Sequence, residues 1–147
     1  MTTRADFTDD EWKVVLEGPP SAGMIVITAA KGGMLRETWA MSKTYAEARG
    51  QHGASELLDE ITSAKPEMDH TRYHSPDEVR TNCLQHIRDA VALVGSKATS
   101  DELDAYRRFV VTLSEKVAAA HKEGGESEST PETGAIGEIK VALGLSG

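Results

Sequence analysis

Apolar residues recur along this chain in steps of three and four, the period of a helix with one buried face. The longest such run is Thr99–Lys122. There Leu103, Tyr106, Val110, Leu113, Val117 and Ala120 form one stripe, while Glu102, Arg107, Arg108, Glu115 and Lys116 take the opposite face. A helix of this length spans roughly 35 Å, enough to cross a small domain, and it is expected to act as the spine.

The pattern elsewhere predicts shorter helices. Thr8-Asp9-Asp10-Glu11 reads as a capping box that starts the first helix, and Gly18-Pro19-Pro20 is expected to end it. A second helix is predicted from Pro20-Ser21 to Lys31. Its Met24–Ile27 run has strand propensity, but no partner strand is visible, and the small residues on either side suit a buried helix. Gly32-Gly33 should stop it. A third helix follows from about Leu35 to Arg49, with Leu35, Trp39, Ser42, Tyr45 and Ala46 inward. Ser55 is expected to cap a short fourth helix that stops before Pro66.

After an irregular connection at 65–74, Ser75-Pro76-Asp77-Glu78 gives the strongest helix start in the chain, with N-cap serine, proline at N1 and glutamate at N3. That helix should place Val79, Cys83, Ile87, Ala90, Val91 and Val94 on one face and stop at Gly95. Thr99 opens the spine, and Thr130-Pro131-Glu132 opens a final helix with Ala135, Ile136, Ile139, Ala142 and Leu143 inward. The fold class is therefore all-α, a single domain over 1–147 with about seven helices. A disordered lead-in at 1–6 and a flexible acidic, glycine-rich loop at 123–130 are expected.

Charge narrows the partners. A net charge of −8 lacks the basic footprint that nucleic-acid binding needs. No apolar run is long enough for a membrane span and no signal-type h-region opens the chain, so a cytoplasmic protein is expected. The single cysteine, Cys83, rules out an intrachain disulfide and sits on an apolar face as a small buried side chain. An apolar helix face could join two copies as a homodimer or receive another protein.

Three groups of residues bear on chemistry. Glu123, Glu126 and Glu132, with Glu128 between, concentrate carboxylates around Gly124-Gly125, oxygen donors of the kind that hold a hard divalent cation. The plainer reading is a solvated acidic loop with Glu132 serving a helix dipole. His70 and His74, with Asp69, could serve as ligands for a transition metal and so for a metal-dependent enzyme, although the segment does not read as helical. Arg107-Arg108 with Lys116 makes a basic patch that the interleaved Glu102, Asp104 and Glu115 are expected to cancel. No nucleophile elbow or phosphate loop marks a catalyst.

Two junctions share a punctuation. TAAKGGMLRE and AAAHKEGGESESTPETGAIGEIKVALG each join a small-residue helix end to Gly-Gly with a glutamate, Glu37 or Glu132, further on. The second, with Glu132, Ile136, Glu138, Ile139 and Leu143, resembles the tellurite-resistance TerB-like family. The resemblance covers about half of the chain and departs from the family at Lys31, where an aspartate is common. It implies an all-α domain of two pseudo-symmetric halves in a bacterial stress response, with cation binding at the acidic break.

Overall fold

Helices begin in this protein where a side chain can replace a missing backbone partner. In the computed structural model, which describes residues 3–29, 34–50, 56–64, 75–123 and 130–145, the three starts that the sequence marks are all capped, and an unmarked Thr3–Asp6 box caps the short turn at Arg4–Asp6. Thr8 Oγ1 accepts from Glu11 N at 3.1 Å while Glu11 Oε1 accepts from Thr8 N at 2.8 Å. Thr99 and Glu102 repeat the exchange at 3.2 and 3.0 Å. Ser75 Oγ accepts from Glu78 N at 3.1 Å, with Pro76 in the first turn. Each reciprocal box satisfies two amide donors that the helix cannot.

Six α-helices result among the described residues: α1 Asp9–Ala29, α2 Met34–Gly50, α3 Glu56–Ser63, α4 Pro76–Lys97, α5 Ser100–Glu123 and α6 Thr130–Ala142. One 3-10 turn, Arg4–Asp6, precedes them. The fold is all-α, as expected, but with one helix fewer. The expected break at Gly18-Pro19-Pro20 is absent, and both prolines lie inside α1.

The reason is a hydrogen bond from far along the chain. Proline has no N–H, so Pro19 leaves the carbonyl of Val15, four residues earlier, without its helical donor. Tyr106 of α5 supplies one. Its hydroxyl donates to Val15 O at 2.7 Å, and both residues are fully buried. Gly18 makes the approach feasible, because a Cβ there would lie 2.0 Å from the Tyr106 hydroxyl oxygen. Glycine, proline and a distant tyrosine together convert a helix stop into a docking point.

This continuity puts the C-terminal half of α1 at the centre. Every residue from Gly18 to Ile27 is buried, which is the signature of a helix surrounded on all sides. The Met24–Ile27 run is thus helical and internal. α4 packs along α1, and α5, α6 and α2 close around it. α5 touches each of the other five helices, so it acts as the spine, with Tyr106, Val110, Leu113, Val117 and Ala120 buried. Cys83 is a buried thiol on α4 between other apolar side chains.

Two further expectations change. α4 runs past Gly95 to Lys97 and is capped at Ala98, whose N–H reaches Val94 O. Gly95 has room for this, its nearest outside neighbour being Leu103. The inner face of α2 is Ala40, Met41, Thr44 and Tyr45, so Trp39, Ser42 and Ala46 are exposed. Tyr45 anchors that face through an edge contact with Phe109, the ring centroids 5.2 Å apart. α6 ends in a paired turn: Leu145 N donates to Lys140 O, Gly144 N donates to Val141 O, and Gly144 has φ of 81°.

A candidate interaction furrow

α2 and α5 lie side by side, and their small residues leave a furrow along the join. Successive turns of α5 present Asp101, Ala105, Arg108, Thr112 and Lys116 to it, ending at Ala119 and Ala120. From Asp101 to Ala120 the furrow follows roughly 28 Å of helix. α2 supplies Trp39, Lys43 and Glu47, spaced by four and therefore on one row.

At one end the furrow deepens into a hollow of about 370 Å³ between α2, α3 and α5. Ala48, Leu58, Ala105 and Phe109 give it apolar surface, and the charged Asp59, Asp101 and Arg108 line it as well. At the other end is a smaller hollow of about 200 Å³ beside Trp39. The two share Thr44, Glu47 and Lys116, and the Glu47–Lys116 ion pair divides them. The hydrogen bond from Lys116 holds the Glu47 carboxyl below its ordinary pKa, with the Lys116 charge acting the same way.

Trp39 stands at this second end with 60% of its surface exposed. Lys43 Nζ lies 5.0 Å from its ring centroid, a cation–π contact of about 0.5–1 kcal/mol at an exposed position. Among the described residues, Trp39 and Val141 are the large apolar side chains left in solvent. A tryptophan beside such a hollow is the kind of surface that partners bury.

The structure also separates charges that the sequence interleaves. Glu102 is buried in its cap, Asp104 pairs with Arg107 at 3.4 Å, and Glu115 does not line the furrow. Arg107 itself donates to Leu143 O at 2.8 Å. Arg108 and Lys116 therefore face the furrow, while the acids expected to cancel them do not. The carboxylates that do line it, Glu47 and Asp59, come from other helices, together with Asp101 from an earlier turn of α5.

A polar cluster lies elsewhere, where α1 meets α4. Ser21 Oγ is 3.4 Å from His86 Nδ1, and Glu17 Oε2 is 3.9 Å from the same nitrogen. Glu17 and Ser21 are four apart on α1, hence on one face. Both address one ring nitrogen, whereas a nucleophile–base–orienter relay needs them on opposite nitrogens. Ser21 is also buried.

The metal candidates fall at or beyond the limits of the described residues. Glu123 ends α5 and Glu132 lies in the first turn of α6. Glu126, and Asp69, His70 and His74, lie outside the described residues, as do Gly32-Gly33, Ser55 and Gly124-Gly125. Among the described residues no group of three or more His, Cys, Asp or Glu side chains is placed to hold a metal ion. No helix among them is long and apolar enough to cross a membrane.

No protein-family model, curated protein or solved structure matches the chain.

Proposed function

We propose that this chain is a non-enzymatic helical interaction module whose working surface is the furrow between α2 and α5. One observation carries the reading: Trp39 stands exposed on the same face as a hollow of mixed apolar and charged lining. The core does not need that ring, since Ala40, Met41, Thr44 and Tyr45 already seat α2. An exposed tryptophan with a lysine over it, beside a hollow that mixes apolar and charged side chains, has the composition of an interface anchor and its surroundings.

Amine-directed cross-linking in cells tests it. Lys43 and Lys116 line the furrow, whereas Lys13 and Lys140 do not. The reading expects cross-links to another polypeptide from Lys43 and Lys116, lost on Trp39→Ala. Cross-links confined to Lys13 and Lys140 would contradict it.

A second reading follows the TerB-like resemblance: a cytoplasmic, bacterial stress-response protein of two pseudo-symmetric halves, holding a divalent cation with Glu123, Glu126 and Glu132. It is supported by the positions of Glu123, the last residue of α5, and Glu132, in the first turn of α6, on either side of 124–129. Calorimetric titration with Ca²⁺, Mn²⁺ and Zn²⁺ should then give binding that Glu132→Gln abolishes. No heat with any of the three ions would remove this reading.

A further inference from the structure

Local chemistry and the fold pull the middle of α1 in opposite directions. Proline carries no N–H, so Pro19 and Pro20 remove two successive rungs of the helix, to Val15 O and Leu16 O. A residue before proline is also pushed out of the helical region, and Gly18 and Pro19 both stand there. The segment by itself favours a helix that ends near Glu17 and restarts at Ser21, yet α1 runs through it unbroken. Such a conflict lowers the cost of leaving the folded arrangement at that point.

The two sides of the segment are held differently. Residues 18–27 are buried throughout and closed in by other helices. Among residues 3–17, Phe7, Trp12 and Val15 are buried and the others meet solvent. Ties at the surface hold this outer part down. Lys97 Nζ donates to Asp6 O at 2.9 Å and to Glu11 Oε1 at 3.0 Å, and Arg4 N donates to Glu60 Oε2 at 2.9 Å. Glu17 Oε2 reaches His86 Nδ1 at 3.9 Å. These ties are at least partly open to water, which weakens them. The Tyr106 bond to Val15 O is buried, and it lies where the outer part meets the proline pair.

We propose that 15–20 is a hinge latched by the Tyr106 hydroxyl, on which residues 3–17 open as one unit while residues 21–29 stay in place. With the latch released, Gly18 and Pro19 relax to the extended backbone that the prolines after them favour. The outer part then leaves α4 and α5. Opening bares Phe7, Trp12 and Val15 with the surface they cover, an apolar face that the closed form hides.

Hydrogen exchange of the full chain across a series of urea concentrations tests the hinge. The amides of Lys13, Val14, Val15 and Leu16 lie in the outer part, and those of Ile25, Val26, Ile27 and Thr28 in the embedded part. The outer set should exchange through an opening about tenfold or more above global unfolding in population, with a shallow urea dependence because little surface is exposed. The embedded set should follow global unfolding, with a steep dependence. Two variants separate opening from unfolding. Tyr106→Phe breaks a bond that the open and unfolded forms both lack, so it should speed both sets by about tenfold. Met41 packs against Gly23, a contact that the open form keeps. Met41→Ala should then speed the embedded set by about tenfold or more and leave the outer set unchanged.

One rate and one urea slope shared by both sets would overturn the proposal. So would Tyr106→Phe that leaves the outer set unchanged, or Met41→Ala that speeds both sets alike. The urea dependence of wild type decides the matter even if Met41→Ala fails to fold.

Discussion

Replacing Tyr106 by phenylalanine removes one oxygen atom and should test why α1 is a single helix. The hydroxyl is the donor to Val15 O, at 2.7 Å, in a place where neither residue reaches water. Pro19 cannot donate to that carbonyl, so Tyr106→Phe leaves a buried acceptor unmet. An unsatisfied buried polar group costs about 1–3 kcal/mol, and the ring's packing is otherwise unchanged. The cost should depend on Pro19. In a Pro19→Ala background residue 19 regains its N–H, Val15 O regains its helical donor, and Tyr106→Phe should cost about 1 kcal/mol less or better. Urea unfolding of the four proteins, with unchanged dependence on denaturant, gives the coupling directly. Equal costs of Tyr106→Phe in both backgrounds would refute the reasoning, because Tyr106 would then contribute by packing alone.

Other consequences follow from single contacts. The Glu11 carboxyl is held below its ordinary pKa, chiefly by the Thr8 amide and then by Lys97. Its folded pKa is lowered, so its stabilisation is present above the unfolded carboxylate pKa and disappears as pH falls through the folded one. Glu11→Gln should therefore flatten the acid limb of a stability–pH curve, and an unchanged limb would argue against this. Burial raises the pKa of Tyr45 and Tyr106. The unfolded chain then releases their protons first, so stability should fall as pH rises above about 10. Tyrosinate absorbance from these two should appear together with unfolding, and ionisation ahead of it would contradict their burial. Gly144→Ala places a Cβ at φ of 81°, 3.3 Å from an Arg107 guanidinium nitrogen. It should destabilise by about 1–2 kcal/mol in the same urea assay, and a neutral result would mean that the α6 cap contributes little.

The sequence is informative where structure is local. Thr8, Ser75 and Thr99 cap helices because partners three residues away decide the outcome. The α5 stripe holds because a long run of apolar residues at one period leaves a single way to bury them. The Gly-Pro-Pro segment misleads because its local rule is overridden by a hydroxyl 91 positions away. Trp39 misleads for a different reason. Size and apolarity suggest burial, yet the smaller residues at 40, 41 and 44 fit the α1 and α5 surfaces, with Gly23 making room for Met41. The furrow is not readable from any one segment. Three helices build it, and its charge emerges only after Glu102, Asp104 and Arg107 have been claimed by caps and by the α6 terminus.

Trp39 itself gives the most direct test of the furrow as a working surface. The other tryptophan, Trp12, is packed against Phe7 and nearly closed to solvent, so acrylamide quenching of the native protein reads Trp39. The account predicts that quenching weakens when the polypeptide that cross-links to Lys43 and Lys116 is added, as the exposed ring enters the interface, and that Ala105→Trp, with its own added fluorescence subtracted, loses this dependence. Trp39 that stays equally open to quencher with and without that polypeptide would contradict it.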